Sequence, residues 1–226
     1  MLYFNKKADL RMNYYIIGDV HGCYHTLKKI LNHWNPDDEQ LIFVGDYINK
    51  GRHSGKVVKY IRELQQKYPD TICIKGNHEY QMVKYIEDET PYKDMKENYS
   101  NTLKKYDLKD KQRDDVTWMK RLPLFHENQV IYVSHAGVNF LGVRKFKEDS
   151  WWSVLRYRGK LRRMKKLQVI GHTPTLTERP EFTEKFHSLN IDSGAGNFAN
   201  MSAVLIDANG QLLNTFTEEV DKDDRP

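Results

Sequence analysis

The sequence predicts an α/β fold whose core is a parallel sheet. Three short apolar runs, at residues 14–17, 41–44 and 71–74, have the length and the content of buried strands. Two segments with apolar residues at helical spacing, 23–34 and 57–64, separate the runs. Strands and helices that alternate in this way are typical of βαβ units, in which neighbouring strands are parallel. Each run also stops at a polar segment that contains glycine.

The second half of the chain predicts a further sheet. Residues 81–121 are charged and predict two or three helices that cover one face. The later apolar runs predict five strands, at 130–133, 167–170, 187–191, 201–206 and 212–216. Asn209 and Gly210 predict a hairpin between the last two strands. Residues 218–226 are polar and acidic, and we expect this tail to be frayed.

Length and composition indicate one water-soluble domain. A chain of 226 residues can bury a full core, so we expect a single domain over residues 1–226. No apolar run approaches the roughly 20 residues of a membrane span, and the N-terminal extension 1–13 lacks the apolar region of a secretory signal. Two cysteines, Cys23 and Cys73, make no disulfide framework, so we expect a cytoplasmic location. A net charge of +5 permits an anionic substrate, and neither nucleic acid nor a membrane is an expected partner.

Side chains that bind metals follow five of the predicted strands. In open α/β sheets, sites lie outside the carboxyl ends of the strands, so we expect these side chains to converge. Their mixture of oxygen and nitrogen ligands suits Mn, Fe or Zn better than Mg or Ca. Asp46, at the second strand end, is well placed to bridge two ions. In strand order the residues are Asp19 and His21, Asp46, Asn77 and His78, His135, and His172.

These strand ends carry motifs that resemble those of the metallophosphoesterases. The motifs are GDVHG at 18–22, GDYINKG at 45–51, GNHE at 76–79, SHAG at 134–137 and GHTP at 171–174. Their order over about residues 14–207 is similar to the PPP-type serine/threonine phosphatases of the short bacterial and phage branch. Five motifs in order are highly specific. The resemblance implies an α/β sandwich of two mixed sheets flanked by helices.

The resemblance also implies a role for each matching residue. A metal-bridging hydroxide would be the nucleophile, and His78 would be the general acid. The expected activity is hydrolysis of a phosphate monoester on a phosphorylated protein or a small molecule. Two divalent or trivalent ions are implied, with Mn expected and Fe or Zn as alternatives. Their six ligands would be Asp19, His21, Asp46, Asn77, His135 and His172.

The second motif departs from the family pattern at two positions. Relatives carry Asp and Arg where this chain has Asn49 and Lys50. Asn49 can hold the ring of His78 by a hydrogen bond, but it cannot stabilise an imidazolium by charge. Lys50 offers phosphate a point charge in place of the bidentate fork of arginine. The candidates for binding substrate phosphate are Lys50, Arg52, Asn77 and Arg156, with Arg158 second to Arg156.

Two alternatives remain open at this point. Symmetrical dinucleoside tetraphosphatases are similar in the first motif and also lack the Asp of the second, although they carry Asp where this chain has Glu79. One alternative is therefore a dinucleoside polyphosphate or phosphodiester hydrolase. The other is a weakly active pseudophosphatase that binds a phospho-ligand. All six implied ligands and His78 are present, which places the pseudophosphatase last.

Overall fold

Two five-stranded sheets form the centre of the fold. A computed structural model describes residues 12–87, 102 and 111–226. The first sheet has the strand order β10-β9-β1-β2-β3 and the second has the order β4-β5-β6-β8-β7. The first sheet consists of β1 (Asn13–Ile17), β2 (Glu39–Phe43), β3 (Ile72–Cys73), β9 (Asn200–Ile206) and β10 (Leu212–Glu219). The second consists of β4 (Phe125–Glu127), β5 (Ile131–Ser134), β6 (Leu167–Ile170), β7 (Glu181–Thr183) and β8 (Ser188–Asn190).

Both sheets are mixed, which confirms the predicted fold class. In the first sheet β1 and β3 run parallel to β2, whereas β9 runs antiparallel to both β1 and β10. In the second sheet β5 and β8 run parallel to β6, and the edge strands β4 and β7 are antiparallel to their neighbours. The predicted hairpin at Asn209 and Gly210 joins β9 to β10, with Gly210 at φ 85°.

Alternation along β1 shows how the layers are held together. Tyr15 and Ile17 pack into the core between the first sheet and the helices. Tyr14 and Ile16 face the other way and pack into the core between the two sheets. Successive side chains of a strand point to opposite faces, so a strand covered on both faces is apolar throughout. This is why the first apolar run is continuous.

Four helices are present in the described residues. They are α1 (Tyr24–Leu31), α2 (Ser54–Lys67), α3 (Asn77–Glu87) and α4 (Lys111–Arg121). The apolar positions of α1 and α2 face the core of the first sheet, as the helical spacing predicts. The predicted helical region 81–121 is only partly covered, because residues 88–101 and 103–110 lie outside the described residues. No helix of the described residues is long and apolar enough to cross a membrane.

The C-terminal segment differs from the prediction of a frayed tail. β10 extends to Glu219, and a short 3₁₀ turn at Lys222–Asp224 follows it. Asp224 is fully buried, and its carboxylate accepts hydrogen bonds from the backbone N–H groups of His25 (3.0 Å) and Thr26 (2.8 Å). It therefore caps α1 from a position 198 residues away along the chain, which a local sequence pattern does not reveal.

Two further predictions concern the N-terminal extension and the cysteines. Residues 1–11 lie outside the described residues, so the extension stays a prediction, although Asn13 already belongs to β1. Cys23 and Cys73 are both buried and unpaired by disulfide.

Candidate metal centre

The six implied metal ligands converge where five parallel strands end. Asp19 and His21 follow β1, Asp46 follows β2 and Asn77 follows β3. The other two ligands, His135 and His172, follow β5 and β6 of the second sheet. All six side chains are buried, and the half-buried His78 lies beside them. The ligands from both sheets therefore meet at the carboxyl ends of the strands, where sites in α/β sheets are expected.

One carboxylate oxygen of Asp46 lies at the centre of this cluster. Its Oδ2 is 3.3 Å from Nε2 of His135, 3.6 Å from Nε2 of His21 and 3.8 Å from Nε2 of His78. Its Oδ1 accepts the backbone N–H of His78 at 3.0 Å, at the start of α3. Asp46 is therefore held by a helix N-terminus while its other oxygen faces three imidazoles.

Backbone carbonyls orient two of the imidazoles toward the cluster. Nδ1 of His21 is 3.3 Å from the carbonyl oxygen of Ile48, and Nδ1 of His135 is 3.0 Å from that of Val44. A carbonyl can only accept, so each Nδ1 carries a proton and each Nε2 faces the cluster. Metal-binding histidines are commonly held in this way.

The arrangement suits two metal ions. Two groups of three ligand atoms, each within 4.8 Å of one another, share Asp46: one adds His21 and His78, and the other adds His135 and His172. Nε2 of His172 is buried and has no hydrogen-bond partner in the described residues. An orphaned nitrogen of this kind is what a coordination bond would satisfy. The neighbouring contact of 3.0 Å between His135 Nε2 and Asn77 Oδ1 is the spacing of two ligands on one ion.

The pKa values follow from burial and the charge on Asp46. Burial would raise the pKa of Asp46, but His135 and His78 lower it well below its usual range. Burial acts to lower the pKa of His135, yet Asp46 and Asp19 raise it to about 9. Burial lowers the pKa of His21 to about 4 and that of His172 to about 3. The negative charges that would attract a metal cation to this site thus also favour the protonated form of His135.

Backbone strain concentrates at this site. Among the described residues, nine other than glycine have positive φ, and five of them belong to the predicted site: His21, Asp46, Asn49, Lys50 and His172. Such left-handed conformations are unfavourable for residues with a Cβ and are typical of functional loops. Two glycines let the backbone approach these carboxylates closely. A Cβ at Gly76 would overlap a carboxylate oxygen of Asp46, and a Cβ at Gly171 would overlap one of Asp19.

Glu79 holds the loop that carries Asp46. It is fully buried, and Oε2 accepts the backbone N–H groups of Asp46 (2.9 Å) and Gly76 (3.0 Å). Its Oε1 accepts those of Tyr47 (2.8 Å) and Ile48 (3.3 Å). Burial and the charge of Asp46 raise the pKa of Glu79 to about 7, against the effect of these N–H groups. From the sequence, Glu79 is evident only as a difference from relatives, because the backbone groups that it holds lie mostly in another loop.

Asn49 lies against the ring of His78. Its side-chain nitrogen is 2.9 Å from Nδ1 of His78, and its Oδ1 is buried without a partner in the described residues. The two ends of an amide have the same shape, so either can face the imidazole. Burial lowers the pKa of His78 against the opposing charge of Asp46, and the positive charges of His135, Lys50 and Arg158 add to the lowering.

The predicted phosphate-binding cations fall into two groups. Lys50 and Arg158 are near enough for their charges to act on His78, and Arg158 also donates to the carbonyl oxygen of His172 at 3.3 Å. Arg52 is exposed, and its backbone N–H donates to the Asp224 carbonyl at the C-terminal turn (2.8 Å). No contact joins the Arg52 side chain to the cluster within the described part of the chain.

Arg156 has an unusual environment beside the cluster. Its guanidinium carbon lies 5.0 Å from the ring centroid of Tyr80 and 5.7 Å from that of Trp151. Its Nε and one terminal nitrogen are buried and have no hydrogen-bond partner in the described residues. The Arg156 backbone lies against His172. Unpaired buried donors on a cation are suited to an anion that the cluster also binds.

Asp192 is a further site residue that the sequence analysis did not assign. It is buried beyond β8, and its carboxylate accepts the backbone N–H of Gly194 at 3.0 Å. After burial, its charge is the largest cause that raises the pKa of Asp19. The signal was present in the motif NIDSG at 190–194, but nothing local indicated that its carboxylate faces the first strand end.

The fold, with its groups of buried histidine and aspartate side chains that could hold metal ions, is that of a metal-dependent phosphoester hydrolase. The sequence profile of the calcineurin-like phosphoesterases matches residues 12–201, so the chain belongs to that family.

Two kinds of dinucleoside tetraphosphatase are similar in sequence. The symmetrical bis(5'-nucleosyl)-tetraphosphatase of Erwinia tasmaniensis is 30% identical over 134 residues, which cover 56% of this chain and 45% of the relative. This chain therefore matches less than half the length of that relative. The asymmetrical bis(5'-nucleosyl)-tetraphosphatase PrpE of Bacillus cereus is 26% identical over 218 residues, which cover 81% of this chain and 86% of the relative.

Solved structures share the fold at low identity. A crystal structure assigned provisionally as a diadenosine tetraphosphatase has a TM-score of 0.67 and 20% identity, and the match covers 92% of this chain and 95% of that one. A serine/threonine phosphatase from Saccharomyces cerevisiae has a TM-score of 0.55 and 16% identity, with 98% of this chain and 83% of that one covered. Identities this low show the shared architecture alone.

Proposed function

We propose that this chain hydrolyses dinucleoside polyphosphates. The observation that carries the proposal is the surface formed by Arg156 and Trp151 beside the metal cluster. Trp151 is 77% exposed, so its ring can stack on a base, while the unpaired donors of Arg156 can bind a phosphate. A base joined to a chain of phosphates has both features, whereas a phosphorylated serine has only the second.

The similar proteins support this proposal over the protein phosphatase expected from the motifs. The relatives of Erwinia tasmaniensis and Bacillus cereus are both named for bis(5'-nucleosyl)-tetraphosphates. The yeast serine/threonine phosphatase, at 16% identity, shows only the fold. A phosphomonoesterase that acts on phosphorylated protein therefore becomes the second candidate function.

Asn49 gives an independent chemical reason for the same choice. Because an amide and not a carboxylate faces Nδ1 of His78, the ring lacks a charged partner on that side, and its imidazolium is less stabilised than it would be beside an Asp. A leaving nucleotide is a phosphate whose second pKa is about 6, and it departs without full protonation. A serine alkoxide is far more basic, so its departure depends on a proton from His78. Asn49 thus suits an anhydride better than a phosphoserine ester.

The metal centre would use the buried cluster described above. Two ions, shared through Asp46, would polarise the phosphoryl group and activate a water molecule. Asp19 and His21 would hold one ion, and Asn77, His135 and His172 the other. We propose Mn²⁺ as the metal, with Fe or Zn as alternatives, because these ions accept both imidazole and carboxylate ligands.

The remaining residues act on the substrate. Lys50, Arg156 and Arg158 bind the negative phosphates, and Asn77, beside His78 in the chain, contributes its amide to phosphate binding as well as to the metal cluster. Nε2 of His78 faces the cluster and donates a hydrogen bond to the leaving oxygen. Asn49 keeps the imidazole in this orientation through Nδ1, at 2.9 Å.

A direct comparison of substrates tests the proposal. The purified protein, loaded with Mn²⁺, is assayed on diadenosine tetraphosphate, a phosphopeptide, a simple phosphomonoester and a phosphodiester. We expect diadenosine tetraphosphate to have the highest kcat/KM, and His78→Ala and Asp46→Asn to abolish the difference from background. Higher kcat/KM on the phosphopeptide would favour the second candidate. Background rates on every substrate, with metal bound, would leave a pseudophosphatase.

Replacement of Trp151 tests the stacking surface itself. One base stacked on an aromatic ring contributes about 1–3 kcal/mol, so Trp151→Ala should raise KM for diadenosine tetraphosphate by roughly 5- to 100-fold. The KM for a simple phosphomonoester should not change. Phe182→Ala is the matched control, because Phe182 is 51% exposed but lies on β7 at the edge of the second sheet. An equal change in KM for both substrates would contradict base stacking.

A further inference from the structure

A second cluster of metal-binding side chains lies outside the centre described above. His25 is in the first turn of α1, His53 precedes α2, and Asp224 ends the C-terminal 3₁₀ turn. One ring nitrogen of each histidine and one carboxylate oxygen of Asp224 lie within 4.8 Å of one another. The two imidazoles meet edge to face, with their centroids 5.2 Å apart. Three distant parts of the chain therefore bring two imidazoles and a carboxylate together.

The hydrogen bond of His53 leaves a nitrogen suited to a metal. Its Nε2 is 3.0 Å from the carbonyl oxygen of Asp223. A carbonyl only accepts, so Nε2 carries the proton and Nδ1 keeps its lone pair. This is the arrangement by which metal-binding histidines are commonly oriented. Burial lowers the pKa of His53, and the charge of Lys56 adds to this effect, which favours the neutral imidazole.

The Asp224 carboxylate also retains a place for a ligand. Its Oδ2 accepts two hydrogen bonds from Thr26, one from the backbone N–H at 2.8 Å and one from the hydroxyl at 2.7 Å. Among the described residues, its Oδ1 accepts only the backbone N–H of His25, at 3.0 Å. An ionised carboxylate offers about four lone-pair directions, so Oδ1 has one that remains for a cation.

We propose that His25, His53 and Asp224 bind one divalent transition-metal ion, with Zn²⁺ the best match for two imidazoles and a carboxylate. The half-exposed imidazoles would move inward, because ligands on a tetrahedral zinc ion are about 3.3 Å apart. The ion would cross-link the starts of α1 and α2 to the C-terminal turn. Backbone hydrogen bonds already join these segments, from His53 to Gly22 (3.0 Å) and from Arg52 to Asp224 (2.8 Å).

Zinc content tests this site independently of the proposed function. The full-length wild type, His25→Gln and His53→Gln are dialysed against Zn²⁺, and zinc per chain is measured by elemental analysis. We expect the wild type to hold one more ion than either variant, whatever the number in the Asp46 centre. His33→Gln is the control, because His33 is an exposed histidine on the surface that pairs with Glu218 (2.8 Å) instead of the cluster. It should bind as much zinc as the wild type.

Thermal unfolding gives a second measurement. Zinc at about 100 times its Kd should raise the Tm of the wild type by about 5–10 °C beyond any rise seen with His53→Gln. Circular dichroism confirms that each variant is folded before the comparison. Equal zinc content and equal Tm shifts in the wild type and both variants would overturn the proposal. Loss of one ion in His33→Gln as well would overturn the assignment to these residues.

Discussion

Replacement of Glu79 by glutamine should destabilise the protein through two lost backbone hydrogen bonds. Each carboxylate oxygen of Glu79 accepts two N–H groups, from Asp46 and Gly76 on one side and from Tyr47 and Ile48 on the other. Glutamine keeps one acceptor oxygen and places an NH₂ group against the other two donors. A buried donor left without a partner costs about 1–3 kcal/mol, so Glu79→Gln should lose about 2–6 kcal/mol of stability.

Urea unfolding of the metal-free protein measures this loss, because bound metal would mask it. Glu87→Gln is the matched control on the same helix. Glu87 is at the end of α3, where it pairs with Lys120 on the surface at 2.5 Å, and a surface pair contributes no more than about 1 kcal/mol. If Glu79→Gln costs no more than Glu87→Gln, the assignment of Glu79 as the residue that holds the Asp46 loop is wrong.

Three further predictions concern other parts of the chain. Asn49→Asp should raise turnover on alkyl phosphates by roughly fivefold and on aryl phosphates by less, because a carboxylate stabilises the neighbouring imidazolium and so keeps more of His78 protonated. Steady-state kinetics that show equal changes would contradict this. Burial raises the pKa of Cys23 to about 12 and both thiols are buried, so a thiol reagent should label neither cysteine in the native protein and both in denaturant. Asp224→Ala should lower Tm by about 2–8 °C in chelator, since it removes a helix cap. Asp223→Ala, whose side chain is exposed, should leave Tm unchanged.

The layered fold and the members of the metal cluster could be predicted because their signals are local. Apolar runs of four residues mark strands that are buried on both faces, and each run ends in residues that suit metal binding. The carboxyl ends of parallel strands meet at one edge of a sheet, so the convergence of Asp19, Asp46 and Asn77 follows from the parallel directions of β1, β2 and β3. His135 and His172 belong to the second sheet and reach the cluster through the packing of the two sheets. Their roles as ligands stay a prediction, which the metal-content and activity measurements test.

The motifs placed a phosphoprotein substrate ahead of a dinucleoside polyphosphate, and the similar proteins favour the reverse order. Asn49 was identified as a departure, but its consequence for the leaving group depends on its contact with His78 across 29 residues. The motifs favoured a phosphoprotein substrate, whereas the similar tetraphosphatases and the surface of Arg156 and Trp151 favour a nucleotide. That surface is formed by a loop that packs against α3, and loop conformation has no periodic pattern.

Tertiary structure alone decided which polar side chains support the site and where the chain ends. Glu79 is the last residue of the GNHE motif, yet three of its four partners lie in the loop after β2, 31–33 residues away along the chain. Asp224 lies in a polar tail that composition describes as solvated, but the α1 N-terminus, 198 residues away, offers it unpaired N–H groups. Buried backbone N–H groups need acceptors, and these two carboxylates supply them. Such pairing depends on which groups are close in the folded structure. Hydrophobic periodicity, by contrast, is a local property of the sequence, so it predicts strands and helices directly.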